Sequence, residues 1–246
     1  MPIVLSGDIE PRSPRVTVSR SIAGLLARAL RWLAVIVAVL LVGVVLLMLL
    51  YRFVAPPTTP TLAWRSLMGR PIDRQWIALD DVSPRLIEAV IASEDARFCQ
   101  HRGIDFRQLR AAIEESRDGY ARGASTITMQ VVKNVFLWRD RSYLRKAIEL
   151  PLSLVLDFVM PKSRILEIYL NVAEWAPGIY GVEAAAWYHF NRSAARLTST
   201  EAARLAVTLP APSLRDPSAP RAHHQRLAEI VAARVRAGVD TSCILR

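Results

Sequence analysis

Of the 32 basic residues in this 246-residue chain only Lys133, Lys146 and Lys162 are lysine, and all three fall between residues 133 and 162. Lysine is a compact point charge on a flexible stem and arginine a planar fork, so the two meet phosphate oxygens differently. A chain that writes arginine almost everywhere singles out the stretches where it keeps lysine. Four stretches, the last three of them lysine-bearing, crowd polar side chains onto otherwise apolar helices: Glu94 to Asp105, Gly123 to Asn134, Arg141 to Glu149, and Lys162 to Asn171. Lys146 and Glu149 are three apart and share a helix face. A surface salt bridge would explain that pair and would be worth little. Glu94 falls where a helix should end, beside a dipole that disfavours negative charge. That misfit points to a functional carboxylate.

Missing chemistry narrows the field. There is no G-x-G-x-x-G and no Gly-Lys-Ser/Thr, hence no standard nucleotide-phosphate loop. No lysine has Ser or Thr three residues before it and none begins Lys-Thr-Gly, which removes the serine-acylating transpeptidase arrangement. His101, His189, His223 and His224 lack metal-ligand spacing beyond the adjacent last pair, so no structural metal site is expected.

The elements that must position these residues read as helices, with no long alternating run to argue for a substantial sheet. Ser83-Pro84 starts a helix that ends near Glu94-Asp95. Asp105 and Gln108 form a capping box for a helix through about Arg117. Ser125 caps a helix to Trp138, and Ser142 another to about Met160, kinked at Pro151. Pro161 opens the next, through about Trp175. Thr198 and Glu201 form a second capping box, and a last amphipathic helix covers 221–237. The expected domain is mainly α with one core.

Residues 32–51 form an apolar run without a charge, and about 20 such residues span a bilayer core as a helix. A signal peptide's apolar region is shorter, and no small-x-small cleavage site comes after this one. The expected organisation is a basic tail over 1–31, a transmembrane helix over 32–51, an extracytoplasmic linker over 52–79 and a catalytic domain over 80–246. Arg12, Arg15, Arg20, Arg28 and Arg31 outweigh Asp8 and Glu10 before the run, which places the amino terminus in the cytoplasm. A net charge of +10 suits anionic lipid or a phosphate-bearing lipid substrate. Cys99 and Cys243 would then lie in an oxidising compartment, although their separation in sequence gives no sign of whether they pair.

The four polar stretches together resemble the peptidoglycan glycosyltransferases that polymerise lipid II, in particular the single-domain, membrane-anchored members. E-D-x-x-F-x-x-H-x-G matches at Glu94, Asp95, Phe98, His101 and Gly103; G-x-S-T-I-T-x-Q-x-x-K-N matches from Gly123 through Ser125, Thr126, Gln130, Lys133 and Asn134. R-K-x-x-E matches at Arg145, Lys146 and Glu149, and I-L-E-x-Y-L-N from Ile165 to Asn171. The likeness covers residues 80–215. Met129 stands where many members have Gln, so a contact carried by that Gln is lost or reassigned. Asn191 stands where members usually have Gly, and Asn is the next-best residue for a left-handed backbone.

The resemblance implies a lysozyme-like helical glycosyltransferase domain, in a single-pass protein of the bacterial inner membrane with its catalytic domain in the periplasm. It implies inverting transfer, an acceptor 4-hydroxyl attacking the anomeric carbon of a donor carried on polyprenyl pyrophosphate. Glu94 would be the general base. Lys133, Arg141 and Lys146 would neutralise the pyrophosphate. Glu149 would hold Lys146 or a divalent ion, or stabilise oxocarbenium charge. Ser125, Thr126, Gln130 and Asn134 would bind sugar hydroxyls or shape the cleft, and Asp95 and His101 would support the base segment. Lys162, Glu167 and Asn171 read as architectural. No cofactor is required with certainty; a divalent cation, Mg or Mn, is the candidate at the pyrophosphate. Partners would be lipid II, the growing lipid-linked strand, the membrane and other wall-synthesis or division proteins, and no nucleic acid. Trp138 and the Trp175–Tyr180 segment are expected to dip into the membrane interface. A lytic enzyme with carboxylates on both sides of the scissile bond and a silent membrane scaffold are the rival readings.

Overall fold

The computed structural model describes residues 18–115, 125–138 and 142–244. The chain divides into two compact units, one ending at Val44 and one running from Val45 to Arg246. The first contains most of helix α1, Val18–Tyr51. Its stretch Ala23–Tyr51 is long and apolar enough to cross a membrane, at about 1.5 Å of rise per residue. The helix therefore begins well before Trp32, where the uncharged run starts. Leu30, Trp32, Leu40 and Leu46 are exposed among the described residues.

The second unit is helical, as the sequence leads one to expect. Its helices are α2 (Pro60–Leu67), α3 (Pro84–Glu94), α4 (Phe106–Glu115), α5 (Ile127–Phe136), α6 (Tyr143–Val159), α7 (Lys162–Val172), α8 (Val182–Phe190), α9 (Ser199–Ala206) and α10 (Ala222–Ala237). Three short strands, β1 (Asp73–Arg74), β2 (Glu174–Ala176) and β3 (Ile179–Tyr180), make a small sheet in the order β1-β3-β2. β1 runs parallel to β3 and β2 antiparallel to it.

α7 buries Ile165, Leu166, Ile168, Tyr169, Leu170, Asn171 and Val172, nearly its whole circumference, which marks a central helix. α5 packs against it on one side and against α6 on another, while α3 packs on α9 and α10. Leu86, Ile87, Val90 and Ile91 form the stripe that α3 buries. Residues 52–79, expected as a linker, fold into this unit. β1 completes the sheet, and the Asn171 side chain accepts from the Ile77 N–H and donates to the Ile77 carbonyl, both at 2.8 Å. A two-residue strand has no alternation to read, which is why the sequence hides it.

Local signals are honoured elsewhere. Thr198 and Glu201 form the capping box of α9. Ser142 accepts from the Arg145 N–H at the start of α6, and Pro151 sits inside that helix. Asn191 ends α8 in the left-handed region at φ 51°. The α5 cap differs from expectation: it is Thr126, not Ser125. Trp175 is fully buried with its indole N–H on the Leu170 carbonyl, and Tyr180 is buried too, so that segment packs in the core rather than dipping into a membrane. Trp138 remains exposed. Cys99 and Cys243 form a disulfide.

Candidate active site

Glu94 is the last residue of α3, and the chain turns sharply after it. Asp95 is buried, and its carboxylate accepts from His101 Nε2 at 2.9 Å and from the Ile127 N–H at 3.0 Å. Ile127 opens α5, where unpaired backbone N–H groups need acceptors and negative charge is favoured. Thr126 completes the cap, accepting from the Met129 N–H at 3.2 Å and donating to the Gly103 carbonyl at 2.6 Å. Gly103 has φ 75°, and a Cβ there would lie 2.4 Å from the Ser153 carbonyl oxygen, so only glycine lets this turn close on α6. Asp95, His101, Thr126 and Gly103 thus fix α5 against the end of α3.

That fixing brings Gln130 and Lys133 to Glu94. Gln130 Nε2 donates to Glu94 Oε2 at 2.9 Å, and the phenol of Tyr169 donates to Gln130 Oε1 at 3.4 Å. Burial pushes the Glu94 carboxyl above the ordinary glutamate range. The Gln130 bond, the Lys133 charge, the Tyr169 hydroxyl and the Arg215 charge pull the other way without cancelling it. Burial likewise pushes the Lys133 ammonium down, opposed by Glu149 and reinforced by Arg145 and Lys146. Lys133 therefore lies within electrostatic reach of both Glu94 and the α6 cluster.

The α6 cluster is built around Glu149. Arg145, one turn earlier, pairs with Glu149 Oε2, and Lys146 Nζ lies 2.6 Å from Oε1. Arg145 and Glu149 are buried, whereas Lys146 is partly exposed and also donates to Ser125 Oγ at 3.1 Å. Glu149 thus orients two cations. Each of its oxygens receives one cation, and among the described residues no three His, Cys, Asp or Glu side chains gather as ligands. The surplus of cations around Glu149 suits a phosphate-bearing ligand.

The expected residues divide accordingly. Glu94, Gln130, Lys133, Lys146, Glu149 and Ser125 face one another directly or through one neighbour, with Asp95, His101 and Thr126 behind them. Asn134 lines a small cavity with Thr59, Thr61, Val172, Glu174 and Tyr180 instead. Arg141 and Gly123 lie outside the described residues. Met129 is fully buried, so its side chain points into the core. Lys162 pairs with Asp157 at 2.6 Å and lies over the Phe98 ring, and Glu167 pairs with Arg164.

Sequence reading passed over three participants. Arg145 stands in a quoted motif, and its spacing of four from Glu149 was the available signal. Tyr169 is a hydroxyl on a buried helix. Arg215, whose charge reaches Glu94 from the segment after α9, left no signal.

A sequence model of the family described as Transglycosylase matches residues 63–236. The chain is 50% identical over 213 residues to a protein of Brucella suis named biosynthetic peptidoglycan transglycosylase, covering 85% of this chain and 95% of the relative. A protein of that name from Agrobacterium fabrum is 51% identical over 196 residues, 78% of this chain and 86% of its own length. One from Rhodopseudomonas palustris is 48% identical over 224 residues, 88% and 95% respectively.

Proposed function

The chain belongs to the transglycosylase family, and from that premise we propose that it polymerises lipid II into linear glycan strands with Glu94 as general base. It is a peptidoglycan transglycosylase. The observation that carries the assignment is the contrast between its two central carboxylates. Glu149 is held by two cations, whereas Glu94 bonds to a neutral amide and has its proton affinity raised by burial. A base poised nearer the working pH transfers protons more effectively.

In the reaction the acceptor's 4-hydroxyl gives its proton to Glu94 while its oxygen bonds to the donor's anomeric carbon. The bond from that carbon to the pyrophosphate oxygen breaks, the electron pair leaves with the pyrophosphate, and configuration inverts. Lys133 and Lys146, with Arg141 on the neighbouring segment, neutralise the departing charge. Glu149 and Ser125 hold Lys146 in place for that role, and Gln130 orients Glu94. The candidate divalent cation at the pyrophosphate, Mg or Mn, is tested by EDTA chelation followed by repletion with either ion.

Both substrates are lipid-borne, which gives the anchor its purpose. We place the amino terminus in the cytoplasm and the second unit in the periplasm of the bacterial inner membrane; basic residues before the apolar run and a disulfide suited to an oxidising compartment support this. Other wall-synthesis or division proteins are the protein partners this setting suggests. Incubation of the detergent-solubilised protein with labelled lipid II tests the reading. High-molecular-weight product digestible by a muramidase is expected, and its absence would contradict the assignment.

A further inference from the structure

The Cys99–Cys243 bond joins segments of different standing. Cys99 lies in the 3-10 turn Phe98–Gln100, one turn of chain beyond Glu94. Cys243 lies past residue 236, where the family match ends. A covalent tie therefore runs from the base-bearing segment to a stretch beyond the span that the family model matches.

The turn it holds is wired to the site on both sides. Before Cys99, Phe98 is fully buried beneath Lys162, and its N–H donates to the Asp95 carbonyl at 2.9 Å. After Cys99, His101 bonds the Asp95 carboxylate, which also receives the Ile127 N–H of α5. Asp95 adjoins Glu94, and α5 carries Gln130 and Lys133. A shift of this turn is thus passed to the base and to both of its α5 neighbours. The non-covalent ties from the tail are weaker: Gln100 Nε2 reaches Asp240 Oδ2 only at 3.5 Å, on an exposed surface. Further back, Arg234 donates to the Ala92 carbonyl at 3.1 Å, which holds α10 to α3 rather than to the turn.

We propose that the Cys99–Cys243 disulfide is a positioning device for the reaction, holding the turn after Glu94 so that the Asp95 bonds to His101 and Ile127 keep Glu94 registered against Gln130 and Lys133. The proposal rests on the assignment of Glu94 as base. Loss of the bond misplaces the base relative to the acceptor hydroxyl, and small misplacements cost rate more than binding.

The test compares the full-length protein in detergent as purified, after reduction by a phosphine, and after reoxidation, together with Cys243→Ala. Reduction converts the disulfide to two thiols while the phosphine takes oxygen from water and becomes the phosphine oxide; thiol titration counts the product. The expected result is a fall in kcat of about tenfold on reduction and in Cys243→Ala, with the KM for lipid II unchanged and full recovery on reoxidation. The acid limb of kcat/KM moves to lower pH, because water admitted around Glu94 removes part of the burial that raises its proton affinity. Unchanged kcat and an unchanged acid limb in the reduced protein would overturn the proposal, as would free thiols before reduction. A fall in kcat accompanied by loss of helical circular dichroism at the assay temperature would also overturn it, making the bond a staple of the whole fold. Failure of the oxidised parent to polymerise lipid II would remove the assignment of the base, and this inference with it.

Discussion

Glu94, Gln130 and Tyr169 form the set whose chemistry is most exposed to test by pH. Because burial raises the Glu94 carboxyl, the acid limb of kcat/KM is expected above the ordinary glutamate range, with activity lost as pH falls through it. Tyr169→Phe removes a donor that favours the charged form of Glu94, so the limb should move higher still; a pH–rate profile that does not move would remove Tyr169 from the set. The same burial sets a stability sign. A carboxyl whose folded pKa is raised contributes stability that is present below its unfolded pKa and lost as pH rises through the folded value. At neutral pH the ionised Glu94 works against the fold, so Glu94→Gln should melt at a higher temperature than the parent while losing activity. Arg145 has the opposite character. Arg145→Met leaves a buried Glu149 with one cation instead of two and should cost about 3 kcal/mol in urea unfolding. Glu94 was legible in the sequence because an acid at a helix end is locally unfavourable. Tyr169 was not, since a tyrosine on a buried helix looks like core until its hydroxyl is seen to meet Gln130.

At the scale of elements, α5 is the piece that everything else aims. Its cap, Thr126, reaches back to Gly103, and its first N–H rests on Asp95. Thr126→Val should therefore cost about 1 kcal/mol of stability, while Ser125→Ala should cost none and act through Lys146 instead. Neighbouring hydroxyls are equally good caps in sequence, and only the tertiary partner on Gly103 selects the second one. Met129→Gln, which restores the residue many relatives carry, places an amide in a fully buried position. A destabilisation of about 1–3 kcal/mol is expected, measured by denaturant melt. Proline starts, the Thr198–Glu201 box and the left-handed Asn191 were readable because each is a local rule. The small sheet was not, because β1 and β3 are two residues each and exist only by pairing across the chain.

At the scale of the whole molecule, one exposed apolar stripe of the second unit lies on α6, while Trp175 is buried. Leu144, Ala147, Pro151, Leu154 and Phe158, spaced alternately three and four apart, form an uncharged exposed stripe, with Phe158 90% exposed. The stripe ends beside the exit from α1, where Arg52 donates to the Val159 carbonyl at 2.7 Å. Contact with the bilayer would satisfy it. A chain beginning at Val45 should bind anionic vesicles, and Leu154→Glu with Phe158→Glu should release it, read by co-sedimentation. Binding that survives both changes would move the contact elsewhere. The apolar run was legible at first reading as a helix long and apolar enough to cross a membrane. The inclusion of residues 52–79 in the catalytic unit and the pairing of Cys99 with Cys243 depend on long-range packing that no local pattern encodes.

The mechanism stands or falls on Glu94 taking the proton from the acceptor. The decisive experiment is steady-state polymerisation of lipid II by the parent and by Glu94→Gln, under one detergent and one pH. A kcat lower by about 10² to 10⁴-fold with KM little changed is expected, in a variant that melts no lower than the parent. A Glu94→Gln enzyme that keeps the parent's kcat would contradict the assignment and return the search for the base to the other carboxylates of the cleft.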